Sequence, residues 1–559
     1  LLVTVDNGIA SIEGVARANE LGIATLITDH HLPAEMLPAA ECIVNPNQPG
    51  CEFPSKALAG VGVIFYVLMA LRARLRSLGR YATQPQPNIG ELLDLVALGS
   101  VADVVPLDAN NRILTWQGLS RIRAGKCRPG IKALLEIANR DPLKLAASDL
   151  GFALGPRLNA AGRLDDMSVG VALLLCDNIG EARVLANELD ALNQTRKEIE
   201  QGMQAEALTL CQQLERSSDT LPGGLAMYHP QWHQGVVGIL ASRIKERFHR
   251  PVIAFAPAGD GTLKGSGRSI QGLHMRDALE RLDTLYPGMI LKFGGHAMAA
   301  GLSVRAENLP ALRRRMNDWA ARECPVLYTP PLECDLSIRL DRVTVESVAR
   351  LDQLAPYGAE NPTPVFLLQS AVVDGVYPVS EGRHSRLRLR QGNSCLYAVW
   401  FGMPAEQLPY ALGDVVDVAL NLSVYESARG AQLSGRIIDL HPAGLGAELA
   451  RQAALVQALR RGTPLTEEQK KQIAPARTDI IAVYRELQSR RWHAEDLQPL
   501  CAKLGEEQTG KTLVAVAALE QVGLITAAEK GGAKFWELVP TAGKKNLADA
   551  PILKCLEEL

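Results

Sequence analysis

Leu1-Leu2-Val3-Thr4-Val5-Asp6-Asn7-Gly8, then Ile12, Val15, Ala16 and Leu21 at helical spacing, then Ala24-Thr25-Leu26-Ile27-Thr28-Asp29-His30-His31, is the stretch whose pattern decides the fold. Two apolar runs, each ending in an aspartate, flank one amphipathic segment, which is the pattern of a β-α-β unit. Such crossovers are right-handed and join neighbouring parallel strands. Asp6 and Asp29 are therefore expected side by side at the carboxyl edge of a sheet, where open α/β sheets bind ligands.

Outward from this unit, helical segments at Leu58–Leu71 and Glu91–Leu98 lead to Val101-Ala102-Asp103-Val104-Val105-Pro106, and a first domain is assigned to residues 1–165. Between 166 and 218, Leu185, Leu189, Leu192, Ile199, Met203, Leu210 and Leu214 recur at spacings of three, four or seven with no proline from Glu181 to Arg216. This predicts one helix of about 54 Å, either a coiled-coil partner or a spacer between two domains. Strands and helices alternate again over a smaller α/β domain at 219–325. Five strands within 329–443, at Val365–Val373, Ser385–Arg390, Leu396–Phe401, Val415–Tyr425 and Gln432–Leu440, predict an OB-fold barrel. The remainder, 444–559, opens at Gly444-Leu445-Gly446 and has three helical segments followed by a hairpin turning at Gly531-Gly532, a winged-helix-like order. The fold class is α/β overall.

A length of 559 residues agrees with about four domains. With 21% charged and 47% hydrophobic residues the chain is globular rather than disordered or fibrous. The longest apolar run, Leu58–Leu71, is shorter than the roughly 20 residues of a membrane span, so no membrane association is expected. Ten cysteines without a C-x-x-C pair argue against a disulfide framework or a cysteine zinc site, and the cytoplasm is the expected location. The net charge of -2 requires any nucleic-acid contact to come from local patches. Because Leu1 already lies in a core-strand pattern, an upstream segment is expected.

Asp6-Asn7-Gly8, Asp29-His30-His31 and Asp103 are all expected at or just beyond the ends of sheet strands. Carboxylates with imidazole suit Mn2+ or Mg2+; the bland alternative is a solvated histidine loop. Lys264-Gly265-Ser266-Gly267-Arg268-Ser269 reads as a phosphate-gripping loop or a flexible turn, and Gly294-Gly295-His296 as a helix start that attracts anions. In the barrel, Arg386, Arg388 and Arg390 alternate with Leu387 and Leu389, so one face presents three guanidinium groups. Tyr397, Trp400 and Tyr425 could stack bases there, or belong to an ordinary core.

Val5-Asp6-Asn7-Gly8 and Asp29-His30-His31 resemble the DHH phosphoesterase superfamily. Ala97–Leu107, the stretch Gly155-Pro156-Arg157-Leu158-Asn159-Ala160-Ala161-Gly162-Arg163 and Gly294–Gly301 narrow the resemblance to its RecJ family of single-strand-specific exonucleases. The likeness is strong to about residue 304, reasonable over the barrel and weak beyond 444. It implies a DHH catalytic domain, a DHHA1 domain and an OB-fold. It also implies a 5′ to 3′ exonuclease acting on single-stranded DNA in recombination and repair, by a two-metal mechanism using Mn2+ or Mg2+. Asp6 would bridge the ions, His30 and Asp103 would complete the shell of one, His31 would serve the substrate phosphate, and Asp29 would stand behind them. Ser266, Arg268 and His296 would hold the nucleic-acid end. Arg157, Asn159 and Arg163 would add phosphate contacts, although either arginine could equally be structural.

A single-strand-binding protein or helicase is the expected partner, and the monomer the expected state. The family's aspartate-rich motif would precede Asp6, so this chain is expected to bind metal weakly, as a fragment or an inactive form. Two rival readings remain: an inactive binder of single strands or of a replication partner, and a DHH phosphodiesterase on short oligonucleotides or cyclic dinucleotides.

Overall fold

The computed structural model describes the chain except for residues 219–221, 324–331, 428–429, 445–446, 461–463, 531, 541–542, 544 and 559. The domain limits expected at 219, 325 and 329, together with Leu445-Gly446 and Gly531, lie outside the described residues. Two compact units result: Leu1–Pro331 with Ala355–Pro362, and Leu332–Leu354 with Thr363–Leu559.

The first unit opens with the β-α-β unit, β1 (Leu2–Val5), α1 (Ile12–Glu20) and β2 (Thr25–Thr28), and adds β3 (Cys42–Val44) to give a parallel sheet in the order β1-β2-β3. Three residues are too few to show a period, which is why β3 has no clear sequence signature. After β1 the chain turns sharply, with Asp6 at φ +65° and Gly8 at φ +112°. A Cβ at Gly8 would stand 2.7 Å from the Thr4 hydroxyl, so only glycine serves there. Helices α2 (Gly60–Ser77) and α3 (Leu93–Ala102) follow, and an all-helical core forms around Ile131, Leu134, Leu150, Leu154 and Leu173.

The long helix, Ile179–Ser218, has 40 residues and is about 60 Å long. Its two halves belong to different cores: Ala182, Ala186 and Leu189 complete the first, while Met203, Ala207 and Cys211 pack with Leu225, Leu240 and Val252. It is a spacer, not a coiled coil, because its apolar stripe is consumed by the two cores it joins.

The second core carries a five-stranded sheet in the order Leu225–Tyr228, Val252–Pro257, Thr262–Arg268, Ala299–Arg305 and Lys292–Gly295. Two expectations are corrected here. Lys264–Arg268 is a central strand rather than a loop, since Gly265 faces the Phe255 ring, where a Cβ would come within 2.5 Å. Gly294-Gly295-His296 ends a strand and turns a hairpin rather than opening a helix; His296 N–H donates to Ala299 O at 2.7 Å.

In the second unit, five strands close a barrel: Phe366–Val379 pairs with both His384–Gln391 and Val415–Ser427, and Ser394–Trp400 pairs with Gly430–Pro442 to complete the ring. A short sixth strand, Leu336–Ile338, joins Phe366–Val379 in parallel. Leu387 and Leu389 are fully buried inside, as their alternation with arginines requires. Beyond the barrel come helices Arg477–Ser489, Gln498–Leu504 and Thr509–Gln521 and the hairpin of Ile525–Lys530 and Ala533–Leu538, the winged-helix order. Arg490 stacks on Trp492 and bonds the Asp414 carboxylate of the barrel at 2.9 and 3.1 Å.

Candidate metal centre and nucleic-acid interface

The turn after β1 and the loop after β2 bring their side chains together at the sheet's carboxyl edge. His30 Nε2 lies 2.9 Å from Asp6 Oδ1 and 3.4 Å from Asp103 Oδ2. Asp103 reaches the site from the C-terminal cap of α3, not from a strand end as expected. Ligand atoms of Asp6, His30 and His31 lie within 4.8 Å of one another.

Asp29, 1% exposed, anchors the group. It accepts from Ile9 N–H at 2.9 Å, His30 N–H at 2.8 Å and His31 N–H at 3.2 Å, and its Oδ1 lies 2.7 Å from His31 Nδ1. Burial alone would raise its pKa, but these bonds, that from Ile9 first, outweigh burial and hold it below the usual aspartate value. His31 is thereby left with Nε2 as its open ring nitrogen. Asn45 and Asn47, which follow β3, fix the histidine backbone by donating to His31 O at 2.8 Å and His30 O at 2.6 Å. These two supports escaped the sequence reading; the signal was Asn45-Pro46-Asn47 directly after a short apolar run.

The neighbouring Asp6 carboxylate holds the His30 imidazole above its usual pKa despite burial, and the Asp103 and Asp29 charges add to the effect. Burial, with the Asp6 charge, pushes Asp103 up, while His30 and His31 oppose. His30 Nε2 is buried yet has no well-aligned hydrogen bond, although two carboxylates face it. A buried polar atom of this kind is costly unless something else satisfies it. Imidazole with hard carboxylate oxygens is a donor set that fits Mn2+ or Mg2+.

The expected phosphate residues divide into two groups. Arg157 is structural in its contacts, bonding Asp190 at 2.8 Å and Ala153 O at 2.6 Å. Arg163 forms no ion pair among the described residues; burial, followed by the charge of Arg196, lowers its pKa, and Arg268 contributes to the repulsion. Among the described residues Arg268 bonds only Ser266 Oγ at 2.9 Å and Gly267 O at 2.8 Å. Exposed Arg163 and half-buried Arg268 thus have no carboxylate partner among the described residues, a pair of guanidinium groups whose chemistry suits an anion. The two domains meet here: a Cβ at Gly235 would come 2.4 Å from Arg163 O. The His296 ring lies parallel to that of His31, 6.5 Å between centroids. Asn159 is exposed on the same helix as Arg163.

In the barrel, Arg388 and Arg390 share Asp374 at 3.2 and 3.4 Å, so their charge is largely committed, and Trp400 packs against the core. Arg386 instead lies over the rings of Tyr377 and Tyr397, at 5.7 and 5.3 Å. Tyr377 was missed because it sits on a neighbouring strand, and Tyr425 is exposed.

Family models match the chain at residues 1–100 (DHH family, N-terminal domain), 222–322 (DHHA1 domain) and 334–439 (RecJ OB domain). The chain is 70% identical over 452 residues to the single-stranded-DNA-specific exonuclease RecJ of Salmonella typhimurium, covering 79% of this chain and 77% of that one. The chain belongs to the RecJ family. To the RecJ of Escherichia coli K12 it is 71% identical over 67% of this chain and 66% of that one. A crystal structure of RecJ from Thermus thermophilus in complex with Mn2+ matches with a TM-score of 0.63 and 30% identity, over 82% of this chain and 65% of that one. The chain thus matches just under two thirds of the Escherichia coli RecJ and of the Thermus crystal-structure chain, and about half of the length of the curated Thermus RecJ. No helix among the described residues is long and apolar enough to cross a membrane.

Proposed function

We propose that this RecJ-family chain carries the catalytic and strand-gripping parts of a metal-dependent exonuclease that degrades single-stranded DNA from its 5′ end, in recombination and repair. The observation that carries this reading is the buried His30 Nε2, faced by Asp6 and Asp103 without a well-aligned hydrogen bond. Asp6, His30 and Asp103 would hold Mn2+ or Mg2+. These ions supply Lewis-acid polarisation of a phosphoryl oxygen and activation of the attacking water.

The chain's own residues do the rest. Asp29 locks the orientation of His31, which faces the scissile phosphate opposite His296. Arg163, Arg268 and Ser266 grip the terminal phosphate, with Asn159 beside them, and so set the distance from strand end to cleaved bond. The barrel offers a further surface for single-stranded DNA, a part for which a phosphodiesterase of dinucleotides has no use. A single-strand-binding protein or helicase as partner, a monomeric state and a cytoplasmic location belong to the same reading.

The test incubates the chain with Mn2+ and an internally labelled, 5′-phosphorylated single strand beside a matched duplex, following binding and cleavage. Mononucleotides released from the single strand alone, and lost in Asp6→Ala, support the nuclease. Cleavage that survives Asp6→Ala, or absence of single-strand binding, overturns it. Binding without cleavage favours the inactive binder.

A further inference from the structure

The chain enters helix Gly155–Leu164 through one π-helical turn, Leu150–Leu154. Such turns are rare and concentrate at functional sites, because the extra residue re-aims a side chain. Here the turn keeps Leu150, Ala153 and Leu154 in the core and sends Phe152 outward, 85% exposed.

Phe152 stands at a cavity of about 300 Å3 whose walls carry Arg157, Arg163, Arg196, Lys197 and Arg243 against one carboxylate, Glu200. Arg196 and Arg243 are committed to Glu200 and Arg157 to Asp190. Arg163 and Lys197 have no ion-pair partner among the described residues. Phe152, Pro156, Asn159 and Arg163 follow one another at spacings of four, three and four, and all four line the cavity. They form a strip roughly 16 Å long that runs from the ring to the Arg163–Arg268 anion site.

We propose that Phe152 is the stacking platform for an interior base of the single strand whose terminal phosphate sits at Arg163 and Arg268, an inference that rests on the nuclease reading above. An exposed aromatic beside uncommitted cations is the combination that single strands use. Stacking tolerates any base, and the cations take the phosphates. The ring can engage only a base that is not already paired and stacked, so the same contact selects against duplex.

The test measures binding of 5′-phosphorylated oligothymidylates, intact or with one abasic position moved along the strand, to the wild-type chain, Phe152→Ala and Phe152→Trp. Phe152→Ala should weaken binding about 5- to 150-fold with an unchanged salt slope, since no phosphate contact is lost. One interior abasic position should weaken the wild type by a similar factor and Phe152→Ala no further, and Phe152→Trp should restore both affinity and abasic sensitivity. Unchanged affinity of Phe152→Ala, or abasic penalties equal in the wild type and that variant at every position, overturns the platform and leaves the nuclease reading standing. A wild-type chain that binds no single strand overturns both.

Discussion

Gly60 packs against Asp6 of the candidate metal centre without offering it an atom. A Cβ there would come 2.5 Å from the Asp6 Cβ and 2.6 Å from Oδ1, so Gly60→Ala must displace the Asp6 carboxylate. Isothermal titration with Mn2+ should show affinity reduced about 10- to 100-fold, as when a residue supporting a metal ligand is lost, while circular dichroism stays native. In the barrel, Arg386→Ala should weaken single-strand binding and lower the salt slope by about one. Arg390→Ala, whose charge is already committed to Asp374, should change both less; equal effects in a salt titration would refute the distinction. At this scale Asp6, His30 and Asp103 were legible because ionisable residues stood at the ends of apolar runs. Asn45, Asn47, Gly60 and Phe152 were not, because their roles come from neighbours distant in sequence or from one irregular helical turn.

Among elements, the long helix was the most legible, since its apolar period persists from Leu185 to Leu214. Gly202 lies within it, exposed, and a Cβ added there would meet nothing within 4 Å. Gly202→Ala should therefore stabilise the folded chain by roughly 1 kcal/mol through lower unfolded-state entropy and better helix propensity, measured by urea denaturation. Gly265→Ala should do the opposite, costing about 1–3 kcal/mol by forcing the Phe255 ring aside. The same residue type has opposite consequences because one glycine borders open space and the other a core. That contrast also explains the misread segment Lys264–Ser269: glycines that accommodate a bulky ring look like glycines that permit a turn.

At the scale of the whole molecule, the link from barrel to winged-helix segment should respond to pH. His441 Nε2 lies 2.8 Å from Asp439 Oδ2, and Nδ1 lies 3.1 Å from Gln498 Oε1. Asp439 chiefly holds the His441 imidazole above its ordinary 6.5, and His441 chiefly holds the Asp439 carboxyl below its ordinary 3.8. The aspartate's contribution is complete above 3.8 and fades as pH falls through its lower folded value. The histidine's is complete below 6.5 and fades as pH rises through its higher folded value. The pair therefore stabilises most between these two ordinary values. With both side chains about half exposed, the effect should be below about 1 kcal/mol, and His441→Gln should lower the melting temperature most between these values and remove the fall-off on either side of them. By itself the sequence determined the β-α-β unit, the spacer helix, the five-stranded barrel and the identity of the clustered ionisable residues, since these depend on local periodicity and on which residues end each run. Only the tertiary structure decided that Asp103 arrives from a helix end, that His296 faces His31, that Arg163 and Arg268 lack carboxylate partners among the described residues while Arg388 and Arg390 share one, and that Phe152 stands beside a basic cavity. Each of those depends on which surfaces pack together, and side-chain partnership across long separations leaves no period in the chain.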